Sequence, residues 1–310
     1  MKDFLLSIII PVFNEEKNIN PLLKRLLPTI KNYQYEMIFI DDGSKDGTVK
    51  TIEEKIKINK NIKLIVFQRN FGHQQALTAG YQITKGDCVI SLDADLQDPP
   101  EIIPQMIEKW EKGAQIVYAR RAKREVDGFF KKETAGLFYK LINFLSDTPI
   151  PDNIGDFRLL DKEIVTFLNQ LPERSRFLRG LVAWGGFSET YVYFEREKRA
   201  AGKTHYTISK MFNFAIEGIT SFSVKPLRLA VYFGFITGIL GFLGVAYAIY
   251  RRLFLPHDFW VTGWTATFVA IMFMGGIQLL TVGIIGEYIG KIYQEIQSRP
   301  KFLIKEKINL

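Results

Sequence analysis

Two long stretches without a charged side chain constrain this fold more than any other feature of the sequence. They run from Leu229 to Tyr250 and from Trp264 to Ile285. Each is about as long as the ~20 residues that a helix needs to cross a bilayer. Buried helices of soluble proteins rarely extend this far without a charge. We therefore predict a two-helix transmembrane region over residues 226–290, followed by a charged tail over residues 291–310.

The overall charge and the single cysteine narrow the class of protein. The chain has 41 Lys and Arg against 33 Asp and Glu, a formal net charge of +8. Such a surplus favours either nucleic acid or a membrane surface with anionic substrates as partner. The basic residues cluster near the predicted membrane-facing segments and not in a reader motif, so we expect no nucleic acid. Cys88 alone permits no intramolecular disulfide and is typical of a reduced, cytosolic domain.

The first part of the chain, to about residue 120, alternates between apolar runs and helical segments. Runs that we predict to be strands cover residues 6–11, 35–40, 62–67, 87–92 and 115–119. Repeated strand–helix pairs predict an α/β fold with a parallel sheet and helices on both faces. We expect Asn14 or Asn20 to cap the first helix. In such sheets, ligands bind beyond the carboxyl ends of the strands.

An acidic motif, Asp93-Ala-Asp95-Leu-Gln97, follows the fourth of these runs. If the chain stays extended, residues two apart face the same side, so three oxygen-bearing side chains would converge. Hard oxygen ligands suit Mg²⁺ or Mn²⁺, which usually also contact substrate phosphates. The alternative is a solvated acidic turn. Four other charged residues also follow predicted strands: Asp41, Asp42, Arg120 and Arg121. Their expected convergence at the strand ends favours the metal site over the acidic turn.

Two further segments, near residues 129–146 and 207–222, mix apolar and basic residues with helical spacing. They either pack on the sheet or lie at the membrane interface with their lysines on lipid headgroups. The chain enters the first predicted span directly after the second segment, at Lys225. We therefore expect interface helices as part of a catalytic domain over residues 1–225.

Three predicted turns carry a family resemblance: Pro11 to Glu15, Asp41 to Thr48, and Asp93 to Gln97. With Gly155-Asp156-Phe-Arg158, residues 199–205 and the two spans, the set resembles the inverting family-2 glycosyltransferases of the polyisoprenyl-phosphate type. Bactoprenol glucosyltransferases and dolichol-phosphate mannose synthases belong to this type. The resemblance covers roughly residues 5–225 and implies a glycosyltransferase A fold, a Rossmann-like, mostly parallel sheet.

The resemblance also implies roles for single residues. Asp156 matches the position of the catalytic carboxylate, and Asp42 would accept a hydrogen bond from the base. The implied metal ligands, for Mg²⁺ or Mn²⁺, are Asp93, Asp95 and Gln97. The implied nucleotide-sugar-binding residues are Pro11, Phe13, Glu15, Asp42, Asp93, Arg120, Arg199, Lys203 and His205. In the family pattern Arg-x-x-Gly-x-Ser/Thr-Lys the final lysine is His205 here, so either Lys203 or His205 would contact the diphosphate.

The role of Asp156 is open on chemical grounds. A lipid phosphate acceptor has a second pKa of about 6 and is mostly a dianion near neutral pH. It does not strictly require a general base, so Asp156 either removes a proton or orients a cation or the acceptor. Two anionic substrates must also meet, which requires cations. The candidates are Arg120, Arg121, Arg158, Arg199 and Lys203.

The resemblance implies transfer of one hexose from a nucleotide-sugar donor, by preference UDP-glucose, to polyprenyl (undecaprenyl) phosphate at the cell membrane. UDP-N-acetylglucosamine and GDP-mannose remain alternative donors. We expect a multi-pass protein with the catalytic domain and both termini cytoplasmic. Glycines spaced by three or four in the spans permit close helix packing, within the pair or in a homo-oligomer. A flippase or scaffold is disfavoured because the spans have no ionisable residue at mid-membrane.

Overall fold

The computed structural model describes residues 3–122, 154–174, 176–195, 220, 223–254 and 263–310. The strands are β1 (Leu5–Val12), β2 (Gln34–Asp41), β3 (Ile62–Phe67), β4 (Cys88–Ser91), β5 (Ile116–Arg121), β6 (Ile154–Asp161), β7 (Glu189–Phe194) and β8 (Ile304–Ile308). The helices are α1 (Glu16–Ile30), α2 (Thr48–Ile58), α3 (His73–Ile83), α4 (Ile103–Glu111), α5 (Lys162–Gln170), α6 (Leu178–Trp184), α7 (Lys225–Phe254) and α8 (Trp264–Ile296). A short 3₁₀ helix, Pro100–Ile102, precedes α4.

The strands form one mixed sheet in the order β7-β5-β6-β4-β1-β2-β3-β8. Strand β1 pairs in parallel with β2 and β4, and β2 pairs in parallel with β3. Strand β6 runs antiparallel to both of its neighbours, β4 and β5. The start of β6 therefore lies beside the carboxyl ends of β1, β2, β4 and β5. The predicted mostly parallel sheet is confirmed.

Helices cover both faces of the sheet. Successive side chains along a strand point to opposite faces, so the buried strands contribute apolar side chains to both. In β1, Ile8 and Ile10 pack in the apolar cluster with α1 and α4, whereas Ile9 packs with α3 on the opposite face. Gly80 of α3 sits against Ile9, where an added Cβ would lie 2.4 Å from Ile9 Cγ2. Helix α3 therefore lies unusually close to the sheet, and its first residue reaches the edge of the sheet.

The predicted helix cap is wrong. Helix α1 begins at Glu16 with no side-chain cap, and Asn20 lies within the helix. Asn14 has a φ of 55° and joins two turns, since its N–H donates to Ser44 Oγ and its Oδ1 accepts from the Lys45 N–H, both at 2.9 Å. The Asn14 side chain is used between the turns after β1 and β2, and so it does not cap the helix.

Helices α7 and α8 expose apolar side chains along their length. Phe235 and Leu279 are 70% and 75% exposed. Two segments, Lys225–Arg251 and Thr267–Ile296, are long and apolar enough to cross a membrane. Tyr288 Oη donates to the carbonyl of Ser223 at 2.6 Å, which ties α8 to the start of α7. The prediction of two membrane-length helices is confirmed, and α8 extends beyond its predicted end.

The chain behind α8 returns to the sheet. Strand β8 pairs antiparallel with β3 at the sheet edge. This strand falls within the predicted tail, 291–310, and the sequence did not indicate it. The predicted interface helices near 129–146 and 207–222 lie outside the described residues, apart from Thr220.

Candidate active site

Charged residues from four strands lie at the carboxyl ends of the parallel strands. Asp41 ends β2, Arg121 ends β5, and Asp93 follows β4. Asp156 lies near the start of β6, which reaches the same end of the sheet because this strand is antiparallel. The predicted convergence of these positions at the strand ends agrees with the topology.

Asp156 is the centre of a charged cluster. Arg179 holds it with two hydrogen bonds, from Nε to Oδ1 at 3.0 Å and from Nη2 to Oδ2 at 2.9 Å. His73 Nε2 lies 3.3 Å from Asp156 Oδ2 and 3.6 Å from Asp93 Oδ1. Gln74 Nε2 donates to Asp156 Oδ2 at 3.5 Å. The imidazole of His73 thus bridges two carboxylates that are far apart in the sequence.

The charges in this cluster change the pKa of each member. Burial opposes ionisation of Asp156, but Arg179 and then His73 outweigh it and hold the pKa of Asp156 well below its usual value. Burial also opposes charging of His73, yet Asp93 and Asp156 raise the pKa of His73 to about 9. For Asp93, burial raises the pKa, His73 opposes this, and Asp156 and Asp95 add to it. Near neutral pH, His73 is therefore an imidazolium beside an ionised Asp156.

The loop before α3 places His73 in the site. Gly72 has a φ of 102°, a backbone conformation that suits glycine, and it directly precedes His73. Asp42 fixes this loop, because its two oxygens accept the N–H groups of Phe71 at 2.6 Å and Gly72 at 2.9 Å. Burial raises the pKa of Asp42, and these backbone hydrogen bonds oppose the rise.

The start of α6 places Arg179. The N–H of Leu178 donates to Gln74 Oε1 at 3.1 Å. Gln74 therefore bridges α3 to α6 while its amide nitrogen contacts Asp156. As a result, residues 73, 74, 156 and 179, from three separate elements, form one connected polar network.

The motif from Asp93 to Gln97 is a turn and not the extended chain that we predicted. Leu96 has a φ of 61°, and the Gln97 N–H donates to Asp95 Oδ1 at 3.1 Å. Ala94 and Leu96 are buried in the core below the site. Burial nevertheless alternates along the motif, with Asp93, Asp95 and Gln97 half-buried, so their convergence on one metal ion stays a prediction. Asp93 also faces His73, at 3.6 Å.

The predicted donor-binding residues occupy the turns after β1 and β2. Pro11 is buried at the end of β1, and Phe13 is 42% exposed. The Glu15 N–H donates to Thr48 Oγ1 at 2.9 Å, which joins the two turns. Both oxygens of Asp42 already bind the loop before α3. The roles of Pro11, Phe13, Glu15 and Asp42 in binding a nucleotide sugar stay predictions.

The predicted cations fall into three groups. Arg120 and Arg121 are half-buried at the site edge, with Arg120 over the Tyr191 ring at 5.0 Å and Arg121 Nη2 at 3.6 Å from Asp98 Oδ1. Arg158 is fully buried, with Nη2 3.9 Å from Asp156 Oδ1, so it adds positive charge beside Asp156, and its contact with substrate stays a prediction. It faces the core because β6 is a central strand, between β4 and β5. Arg199, Lys203 and His205 lie outside the described residues.

The predicted metal ligands offer oxygen atoms of the right chemistry. Asp93 and Asp95 supply carboxylates and Gln97 an amide oxygen, a set that suits Mg²⁺ or Mn²⁺. Within the ranges that the structure describes, no cluster of three or more His, Cys, Asp or Glu side chains is arranged to hold a metal ion. Such a donor set suits an ion that substrate phosphates also contact, which is the usual arrangement for Mg²⁺.

Sequence reasoning missed His73, Gln74 and Arg179. The chain contains only three histidines, and one directly after a glycine at a predicted helix start was a signal that could have been used. Arg179 gave no such signal, since it lies among other arginines in a stretch without a motif. Its pairing with Asp156 depends on the tertiary structure.

Comparison with known sequences identifies the family. Residues 7–167 match the family described as "Glycosyl transferase family 2", and residues 225–292 match "GtrB C-terminal hairpin". The chain belongs to glycosyl transferase family 2. This family 2 glycosyltransferase has the glycosyltransferase A-like, mostly parallel sheet that the resemblance implied, and its two long helices coincide with the matched hairpin.

Relatives resemble this family 2 glycosyltransferase over nearly their whole length. The bactoprenol glucosyl transferase of Shigella phage SfX is 43% identical over 97% of this chain and 99% of its own. The uncharacterized glycosyltransferase YkcC of Bacillus subtilis is 44% identical over 98% of this chain and 94% of its own. A glucosyl-3-phosphoglycerate synthase structure from Mycobacterium tuberculosis, at 18% identity, covers 70% of this chain and 77% of its own, with a TM-score of 0.47. That structural likeness is too weak to inform the site.

Proposed function

We propose that this enzyme transfers one glucose from UDP-glucose to undecaprenyl phosphate, with inversion at the anomeric carbon and with a divalent metal ion. The product would be a lipid-linked sugar for glycosylation of the cell envelope. The proposal places the catalytic domain and both termini in the cytoplasm, where nucleotide sugars are available.

One observation carries this proposal: the Asp93–His73–Asp156–Arg179 cluster lies at the ligand-binding edge of the sheet in a chain with two membrane-length helices. The cluster supplies two cations beside two carboxylates, which suits a reaction between anionic substrates. The helices suit an acceptor that stays in the bilayer. The 43% identity to bactoprenol glucosyl transferases supports the same donor sugar and acceptor.

The reaction consists of one displacement. A phosphate oxygen of the acceptor bonds to the anomeric carbon, while the bond from that carbon to the donor diphosphate breaks and its electron pair leaves with UDP. No proton has to be removed, because the acceptor phosphate is mostly a dianion above its second pKa of about 6. Asp156, whose pKa is well below its usual value, is a weak base. We infer that it orients His73 and Arg179 and does not abstract a proton.

His73 and Arg179 provide the fixed positive charge in this scheme. Two groups prearranged in a partly buried site stabilise developing negative charge more than mobile groups in water would. Asp93, Asp95 and Gln97 would hold the metal ion, which when bound supplies Lewis-acid neutralisation of the leaving diphosphate. Arg120 lies at the same edge, and the proposal assigns it to donor binding.

A donor screen tests the proposed function. Membranes containing the full chain receive undecaprenyl phosphate and radiolabelled UDP-glucose, UDP-N-acetylglucosamine or GDP-mannose, and the chloroform-soluble product is counted. We expect label from UDP-glucose, its loss in EDTA, and its return with Mg²⁺ or Mn²⁺. Label from another donor would replace the proposed sugar, and full activity in EDTA would exclude the metal. A preparation of Asp156→Asn serves as the matched membrane control.

A further inference from the structure

The segment behind the second membrane-length helix contacts both loops that position the charged cluster. We call residues 295–309 the return segment, since they lead from the end of α8 to β8 and the residue after it. Its first contact is with the loop between β3 and α3. The Phe302 ring stacks on Phe67, with centroids 4.9 Å apart and planes 10° apart, and the Gln68 N–H donates to the Leu303 carbonyl at 2.9 Å.

This first contact continues towards His73. The Phe67 ring packs edge-on against Phe71, at 5.8 Å between centroids. Phe71 and Gly72 are the residues whose N–H groups bind Asp42, and His73 follows directly. The return segment thus supports the beginning of a loop whose end carries His73.

The second contact is with the loop between α5 and α6. The carboxylate of Glu295, in the last turn of α8, accepts the Arg174 N–H at 3.1 and 3.0 Å. The Arg174 guanidinium also donates to the Arg299 carbonyl. Four residues further along the chain, Leu178 binds Gln74, and Arg179 binds Asp156. The return segment therefore supports a loop whose end carries Arg179.

The two contacts converge on one carboxylate. His73 and Arg179 approach Asp156 from different elements, α3 and α6, and each element follows a loop that the return segment holds. Strand β8 fixes the segment in register on β3, and Asn309 Nδ2 donates to the carbonyls of Lys60 and Ile62, both at 2.7 Å. If β8 served only to cover the outer edge of β3, the return segment would not need its contacts to the α5–α6 loop.

We propose that Glu295 and Phe302 are positioning residues, through which the return segment holds Arg179 and His73 against Asp156 for sugar transfer. This inference rests on the proposed function for its reaction. It assigns neither residue a contact with substrate, since both act through the loops that they support.

Kinetics of the full chain in membranes test the proposal. Glu295→Ala and Phe302→Ala should each lower kcat by about tenfold, a barrier change of ~1.4 kcal/mol, while the donor KM changes by less than about twofold. Glu295→Gln and Phe302→Tyr should regain most of kcat, because they keep the acceptor oxygen and the ring. The exposed neighbours Gln294→Ala and Lys305→Ala are matched controls and should behave as wild type. Unchanged kcat in both alanine variants would overturn the proposal.

Hydrogen exchange gives a second measurement that needs no substrate. Phe302→Ala should accelerate exchange at the Phe71 and Gly72 amides, and Glu295→Ala at the Leu178 amide, although none of these amides bonds to the return segment. Acceleration confined to Gln68 and Arg174, which do bond to it, would show docking without positioning and would refute the inference. If wild-type membranes transfer sugar from no donor, the proposed function fails, and exchange alone decides the positioning role.

Discussion

At the scale of single residues, Asp156 lies beside three cations, Arg179, His73 and Arg158, whose charges determine its chemistry. A carboxylate that Arg179 binds with two hydrogen bonds and that also faces an imidazolium is stable as an anion. Its pKa is held well below the usual range, so it stays ionised throughout the pH range in which the enzyme would work. A role in orienting Arg179 and His73 follows more directly from this environment than a role as base.

Asp156→Asn tests that role. We expect turnover to fall by at least about tenfold because the amide attracts Arg179 and His73 less, while nucleotide affinity stays near that of wild type. The acid limb of the pH–rate profile should remain in the variant, because the acceptor phosphate with its pKa of about 6 sets it. An acid limb that is present in wild type and vanishes in Asp156→Asn would instead identify Asp156 as a general base.

Loss of the proton from His73 should determine the alkaline limb of the pH–rate profile. Asp93, Asp156, Asp42 and Arg179 all act on its charge, and the net effect raises the pKa of His73 to about 9. With a pKa of about 9, well above the ordinary value of about 6.5, the imidazolium is almost fully present at neutral pH and is lost as the pH rises through about 9. The wild-type rate should therefore fall at alkaline pH, at or below about 9, because a metal ion bound at Asp93 would offset part of the negative charge that raises the pKa of His73. In His73→Gln the rate should be lower at neutral pH and flat across this range, and a persisting alkaline limb would contradict the assignment.

Asp95→Asn tests the predicted metal ligands. Loss of one carboxylate should lower the rate by at least about tenfold, ~1.4 kcal/mol or more of barrier, and should raise the Mg²⁺ or Mn²⁺ concentration needed for half-maximal activity. Glu54→Gln removes an equal charge from an exposed position on α2 and is the matched control. A variant with wild-type metal dependence would exclude Asp95 as a ligand.

The sequence indicated which carboxylates matter better than it indicated their geometry. Asp93 and Asp156 were found because acids after apolar runs, and the family motif, are visible along the chain. His73 and Arg179 were missed because their significance lies in contacts with Asp156, across 83 and 23 residues of sequence. The turn at Leu96 was missed because a positive φ at a non-glycine residue is uncommon and leucine gives no sign of it in the sequence.

At the scale of elements, the turn after β2 depends on a glycine for two separate reasons. Gly43 has a φ of +76°, and an added Cβ would lie 2.6 Å from the Arg69 carbonyl carbon. Gly113 has a φ of +99° but open space around the same position. An alanine at position 113 would therefore introduce backbone strain alone, whereas an alanine at position 43 would introduce backbone strain and a steric clash.

Gly43→Ala should therefore destabilise the protein more than Gly113→Ala. Left-handed backbone at a non-glycine residue costs about 1–3 kcal/mol, and Gly43→Ala must in addition displace the loop at Arg69, which leads to His73. Denaturation of the full chain in detergent measures the difference in free energy of unfolding. Equal losses for the two variants would show that the close approach to Arg69 is relieved without cost.

Five of the eight strands in the described part of the chain were predicted, and β6, β7 and β8 were missed for different reasons. Strand β6 is buried, but Gly155, Asp156 and Arg158 interrupt its apolar pattern. The five runs before residue 120 became β1 to β5 because both sheet faces are covered there. Strand β8 has the sequence Ile-Lys-Glu-Lys-Ile, and its three central side chains are exposed at the sheet edge. Charged residues are common on edge strands because they discourage further pairing. Such a strand leaves no apolar pattern, and only its pairing with β3 reveals it.

At the scale of the whole molecule, pairing of β8 with β3 relates the catalytic sheet to the membrane. The chain leaves the sheet, passes through α7 and α8, and returns to the same sheet. Both ends of the helical hairpin are therefore next to the catalytic domain. Lys225, Arg228 and Lys291, which flank the spans on this side, agree with a cytoplasmic position, whereas Arg251 and Arg252 at the far end do not.

Cysteine labelling tests this orientation in a Cys88→Ser background. A cysteine at residue 257, in the linker outside the described residues, should react with an impermeant maleimide in intact cells. Leu310→Cys should stay unlabelled until the cells are opened, since Leu310 follows β8 and is half-exposed beside the catalytic sheet. We chose Leu310 because Asn309 makes hydrogen bonds to the β3 edge. The reverse labelling pattern would refute the cytoplasmic assignment.

The position of β8 in the chain also has a consequence for biosynthesis. Strand β3 leaves the ribosome long before β8, and at ~5–20 residues per second the 241 residues from Phe67 to Ile308 take roughly 12–48 s to translate. Throughout that interval the edge of β3 lacks its β8 partner, and both hydrophobic helices are translated before that partner. The nascent sheet thus presents an open edge of the kind that chaperones protect and aggregation exploits. An enzyme built in this order completes its sheet only after both hydrophobic helices have been translated.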